Sequence, residues 1–302
     1  MPSTPNWYNK SAPLLLRSRA DRSMIDMHIH CVPPNLPGVG ALSPVLNDSV
    51  ENVAALLRSE MQAGGFRHAL AMGSHGGDGD DPLGINRTLE IAQLVPGLHA
   101  IGIADPQRAE RDHLQRVEKI IASQRVIALK AYLGYLHFYP NDPGYRPYYE
   151  LAAKYQLPFI FHTGDTYSPY AKLKFAHPLG VDEVAVDHRD IRFVMAHVGN
   201  PWMVDAAEVV YKNVNVWTDL SGLIVGSEDE ISDPDARVAI EDTLKRIRSA
   251  FRYAERPNRF LYGSDWPLAP MSLYRDFIKM AIPEEHHELV FADNARALFG
   301  LS

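Results

Sequence analysis

The sequence holds one cysteine, Cys31, among its 302 residues. No disulfide can close within the chain, so its stability must come from a packed core, and a reducing compartment suits it. No apolar run approaches the ~20 residues needed to span a membrane. The opening "MPSTPNWYNKSAPLLLRSRADRS" carries only a short leucine run, against the roughly 7–15 apolar residues of a secretory core, so no signal peptide is expected. Basic residues are not in excess: Lys and Arg number 30 against 37 Asp and Glu, for a net charge of −7. That argues against nucleic acid as a partner and against a polybasic membrane anchor. It leaves a small anion open, because a local site can be positive in an acidic protein. No internal repeat of fixed period is visible.

What is present is alternation. Eight short β-like runs follow one another: 24–28, 68–72, 98–103, 126–130, 159–162, 191–197, 213–218 and 259–263. Helical stripes lie between them. Val50, Val53, Ala54 and Leu57 share one face, as do Leu114, Val117 and Ile121; so do Tyr148, Leu151, Ala152 and Tyr155, and Ile240, Leu244, Ile247 and Phe251. These stripes read as core packing. Ser49 and Asp233-Pro234 mark helix starts, and Pro158 separates a helix from the run after it. Eight βα alternations in a chain of this length predict a single (β/α)8 TIM barrel, a fold of about 250 residues. The barrel and a C-terminal helix span 24–302, after a short N-terminal extension over 1–23.

In such a barrel the chemistry stands at the C-terminal ends of the strands. The residues found there are titratable. The first run ends in His28-Ile29-His30, the fourth in Lys130, the fifth in His162, the sixth in His197. The seventh ends near Asp219, and Asp265 follows the eighth. A lone histidine after a strand is commonly a hydrogen-bonded structural residue, and H-x-H alone is a weak pattern. Residues i and i+2 do point to one face of a strand, however. Four histidines and an aspartate converging on one mouth are the donor types of a metal or acid–base site. A divalent ion there lowers the pKa of a water to near 7, and a nearby carboxylate can take its proton.

The motifs "DMHIH", "LKAY", "FIFHTG", "MAHVG", "WTDLSG", "YGSDWP" and "FADNARALFG" occur in that order from Ile25 to the C-terminus. Together they resemble the amidohydrolase superfamily, in particular the amidohydrolase-related branch. That branch includes aminocarboxymuconate-semialdehyde decarboxylases, resorcylate-type decarboxylases and pyrone-dicarboxylate lactonases. The resemblance implies that His28, His30, His162 and Asp265 are ligands of one divalent metal, zinc first, with manganese, iron or cobalt as alternatives. It implies that Asp265 doubles as the proton acceptor and that His197 acts on substrate or water. The expected activity is hydrolysis of a small, carboxylate-bearing ester, lactone or amide. The alternative is nonoxidative decarboxylation of an aromatic or muconate-type acid. Resorcylate-type enzymes often carry glutamate at the first position of H-x-H, so His28 leans towards hydrolysis, although the muconate-semialdehyde type also has H-x-H. A catalytically silent binding barrel is the third reading. A cytoplasmic homodimer is expected.

Lys130 has three readings: a contact to an anionic substrate, a structural role, or a carbamylated bridge between two metals. Cys31 reads as packing at the barrel mouth. Asp219 reads as structural or as orienting a histidine. The loop "GSHGGDGDD", with His75, Asp78, Asp80 and Asp81, lacks the EF-hand spacing and reads as a loop over the site. "AYLGYLHFYPNDPGYRPYY" holds six tyrosines; Tyr132, Tyr135 and His137 are candidates for a substrate wall, with Trp266 as another.

Overall fold

The computed structural model describes residues 23–77 and 79–302. The N-terminal extension therefore lies, but for Ser23, outside the described residues, and so does Asp78.

Eight parallel strands run in sequence order around one sheet: β1 Met24–Ile29, β2 Phe66–Met72, β3 Leu98–Ile103, β4 Leu129–Ala131, β5 Phe159–Phe161, β6 Phe193–Met195, β7 Val216–Asp219 and β8 Phe260–Leu261. The chain just past β8 closes the ring onto β1. Met27 N–H donates to Tyr262 C=O, Asp265 N–H to His28 C=O and His30 N–H to Trp266 C=O, at 3.0, 2.8 and 2.7 Å. The fold is the TIM barrel expected from the alternation.

Helices fill the crossovers: α1 Val50–Gly64, α2 Asn86–Leu94, α3 Arg111–Ala122, α4 Arg146–Tyr155, α5 Leu179–Asp187, α6 Met203–Lys212, α7 Glu228–Ser232, α8 Arg237–Ala254 and α9 Met271–Ala281, with α10 Asn294–Phe299 at the end. The striped faces are the buried ones. Val53, Ala54 and Leu57 of α1 and Leu244, Ile247 and Phe251 of α8 all pack inward. Ser49 caps α1 by accepting from Asn52 N–H. Among the described residues no helix is long and apolar enough to cross a membrane.

Two apolar layers result. Ile25, Met27, Leu70, Ile160 and Val194 fill the barrel interior, and Ala295, Leu298 and Phe299 of α10 pack into the same cluster. Alternate strand residues such as Ala69, Ala71, Phe161 and Met195 face the helices. With its interior filled by apolar side chains, the barrel is a packed core and not a pore.

Candidate active site

Simple alternation along β1 would misdirect its histidines. Ile25 and Met27 face the barrel interior, while Ile29 packs in the outer layer. A bulge makes the change. Asp26 pairs with Ala69 and Ile29 with Ala71, so Met27 and His28 together stand against Leu70. The extra residue re-aims the strand, and His28 and His30 both line the mouth. Asp26, fully buried, pins the bulge to the end of the barrel: its Oδ1 accepts from His28 N–H at 3.2 Å and from Ser264 N–H at 3.0 Å. Burial pushes the Asp26 carboxyl up to about 7.

His197 and Asp265 reach the mouth from left-handed turns. The strands before them end at Met195 and Leu261, earlier than the sequence runs suggest. His197 has φ 60° and Asp265 has φ 61°. Non-glycine residues seldom adopt such angles, and they cluster at functional sites.

The donor atoms gather closely. His28 Nε2 lies 3.6 Å and His30 Nε2 lies 3.4 Å from Asp265 Oδ1. That oxygen is buried and accepts no hydrogen bond among the described residues. Donor atoms about 2.0–2.1 Å from a tetrahedral ion stand about 3.3 Å apart. The observed spacings match that arrangement better than a hydrogen bond, so His28, His30 and Asp265 fit a divalent cation.

The far nitrogen of His28 is fixed as well. Nδ1–H donates to Asp219 Oδ2 at 3.0 Å, which leaves the Nε2 lone pair facing Asp265. Asp219 Oδ1 accepts from the backbone N–H of His197 at 3.0 Å and of Ser221 at 2.9 Å, and from the Ser221 hydroxyl. The Ser221 oxygen also lies 3.0 Å from His28 Nδ1 and 2.9 Å from His197 Nδ1. One buried carboxylate and one hydroxyl thus join β1, β6 and β7. Burial pushes the His28 imidazole down to about 4, reinforced by Lys130. Burial opposes ionisation of Asp219 and Asp265, but the imidazoles around them outweigh it and hold both carboxyls well below the usual range.

His162 lines the mouth but stands apart from the three clustered donors. Its Nε2–H donates to Asp165 C=O at 2.8 Å, and its Nδ1 lies 3.2 Å from His197 Nε2. Lys130 also lines the mouth, fully buried, its Nζ without a hydrogen-bond partner among the described residues. Burial lowers its pKa to about 8, against the pull of Asp219 and Asp265. Tyr132 and Tyr135 form a wall; Tyr132 Oη–H donates to Gly73 C=O at 3.0 Å.

Two expected wall residues are elsewhere. His137 bonds Tyr170 C=O at 3.0 Å and stacks on Phe175 outside the mouth. Trp266 is buried in the outer layer, because the closure of β8 onto β1 turns it away from the mouth. The described residues of the His75 loop do not line the mouth either. His75 Nε2 lies 3.3 Å from Asp105 Oδ2, and the Asp81 carboxylate caps α2 by accepting from Ile85 and Asn86 N–H. Ser221, Gly222 and Asp26 also belong to the site; their one mark in the sequence is their place beside Asp219 and His28 in "WTDLSG" and "DMHIH".

A family model described as amidohydrolase matches residues 25–301. The chain belongs to the amidohydrolase family. No curated protein sequence matches it. Among solved structures, this amidohydrolase is similar to an uncharacterised TIM-barrel protein of Bordetella bronchiseptica, at 18% identity and TM-score 0.65, covering 92% of this chain and 99% of the other. It is similar to a 2,6-dihydroxybenzoate decarboxylase from Rhizobium, at 14% identity and TM-score 0.63, with 92% and 99% covered. It is also similar to an amidohydrolase from Burkholderia multivorans with bound zinc, at 15% identity and TM-score 0.61, with 93% and 100% covered. The amidohydrolase described here is an enzyme with a candidate metal site of histidine and aspartate donors.

Proposed function

We propose that this amidohydrolase hydrolyses a small ester, lactone or amide that bears a carboxylate, with one divalent ion, zinc first, held by His28, His30 and Asp265 and bordered by His162. The observation that carries the reading is Asp265 Oδ1, which accepts no hydrogen bond among the described residues and lies between two imidazole nitrogens at 3.4 and 3.6 Å. When bound, the ion supplies Lewis acidity, polarising a carbonyl and acidifying a water.

The chain's own residues do the rest. Asp219 keeps the proton of His28 on Nδ1 and so keeps Nε2 available. Asp265, ionised, takes the proton of the attacking water. His197, anchored by its backbone and ring to Asp219 and Ser221, faces the mouth and stabilises the developing oxyanion. Lys130 pairs with the substrate carboxylate; a buried ammonium lacking an anionic partner gains most from receiving one. The Tyr132 and Tyr135 wall excludes water behind it.

Decarboxylation is the second reading. Lys130 favours it equally, since the carboxylate it would hold could be the one that leaves, and one fold neighbour is a 2,6-dihydroxybenzoate decarboxylase. A panel of lactones and aromatic carboxylates, assayed in parallel for acid release and for carbon dioxide, separates the two. Hydrolysis predicts acid without carbon dioxide, lost on chelation and in Asp265→Asn. Carbon dioxide release, or turnover that survives both treatments, overturns it.

A further inference from the structure

The mouth does not end at its own rim. A shallow, open groove adjoins it, and the two share Asp165, Tyr167, Asn200 and Gly222. The walls of this groove are the segment 165–169 after β5 and the segment 222–225 after β7. Gly222 stands at the junction with φ +64°. A Cβ there would meet Asp265 Oδ2 at 2.8 Å and His197 Nδ1 at 2.9 Å. Glycine lets the backbone pass this close to both side chains and leaves the passage unobstructed.

Both walls are tied down. Asp165 N–H donates to Asn200 C=O at 2.6 Å, and Ser168 Oγ–H to Pro37 C=O at 2.6 Å. Leu223 N–H donates to Tyr274 Oη at 2.9 Å, and Gly226 N–H to Leu268 C=O at 2.8 Å. Arg246 fixes Asn200 between them, its Nη1–H donating to Asn200 Oδ1 at 2.7 Å. The groove is built from anchored backbone.

Charge is divided between the two spaces. The mouth gathers Lys130 and the imidazoles. The described lining of the groove has no lysine, arginine or histidine, and Asp165 is its one charged residue; Pro169, Leu223, Ile224 and Val225 supply apolar surface, and Thr166, Tyr167, Ser168 and Asn200 supply uncharged polar surface beside it. A negative group is drawn to Lys130, and the groove suits an uncharged chain or ring.

We propose that the groove is a second substrate-binding region. The enzyme acts on elongated substrates whose reacting carbonyl lies at His28, His30 and Asp265 and whose uncharged alkyl or aryl arm lies between 165–169 and 222–225. The proposal rests on the reading of the mouth as a metal site.

The test is calorimetry of the full-length, zinc-loaded protein with straight-chain hydroxamates from acetohydroxamate to hexanohydroxamate. A fully enclosed methylene is worth about fourfold in affinity and an open groove less, so hexanohydroxamate should bind roughly tenfold tighter than acetohydroxamate. Val225→Trp and Pro169→Trp obstruct the groove from opposite walls, and each should cut that gain below roughly twofold. The comparison is made within each protein, so differences in zinc loading cancel. Val238→Trp, on the exposed face of α8, should keep the gain. A wild type without a chain-length gain, or a gain that survives both groove variants, overturns the proposal while acetohydroxamate binding leaves the metal reading standing. Absence of zinc uptake or of acetohydroxamate binding overturns the metal reading, and the proposal with it.

Discussion

Asp219 Oδ2 lies 3.0 Å from His28 Nδ1, across a separation of 191 residues. The contact decides which nitrogen of His28 is free to bind a cation. Asparagine in its place can present an amide N–H to His28 and no longer compels the proton to stay on Nδ1. Asp219→Asn should therefore weaken zinc binding about 10- to 100-fold, the range for partners of metal-bound histidine. Zinc competition with a chromophoric chelator measures this. An unchanged affinity would show that Asp219 serves only the backbone turns at His197 and Ser221.

Lys130 is buried with no hydrogen-bond partner for its ammonium among the described residues, only the Tyr132 ring 5.6 Å away, and that arrangement costs stability. Its pKa falls to about 8 from an ordinary 10.5. Between these values the unfolded chain holds a proton that the folded chain has released, so stability rises with pH across that window. Lys130→Met should flatten the rise and stabilise the protein near neutral pH by about 1–3 kcal/mol. The same substitution should lower kcat/KM for carboxylate-bearing substrates by roughly 100-fold. Urea unfolding at pH 7 and at pH 10 checks the first part. A destabilised Lys130→Met would mean that the ammonium is a structural tie.

Much of this was legible in the chain itself. The eight alternations reported the barrel because parallel strands and amphipathic helices leave distinct periodicities. The donor residues were visible because titratable groups directly after apolar runs stand out. The bulge at Met27–His28 was not visible: one extra residue in a strand leaves no mark in hydrophobic pattern when Met27, His28 and Ile29 are all buried. The left-handed turns at His197 and Asp265 were hidden too, since neither residue is glycine. His137 and Trp266 misled because nearness in sequence to Lys130 or Asp265 does not fix direction. Strand closure turns Trp266 into the outer layer.

Cys31 immediately follows the H-x-H pair yet belongs to the packing. It is fully buried, its Sγ–H points to Thr88 Oγ1 at 3.7 Å, and burial pushes the thiol up to about 12. With so little thiolate it should resist a disulfide reagent such as dithionitrobenzoate at pH 8 and react within seconds once unfolded in guanidinium. Fast labelling of the native protein, suppressed by zinc, would instead place Cys31 at the metal.

His28, His30 and Asp265 are proposed as the cation site of this amidohydrolase. Elemental analysis after zinc loading and gel filtration decides this, with Asp265→Asn and His30→Ala in parallel and circular dichroism to verify folding. The expected result is about one zinc per wild-type chain and almost none in either folded variant. A folded wild type that retains no zinc, or variants that retain it as fully as the wild type, would contradict it.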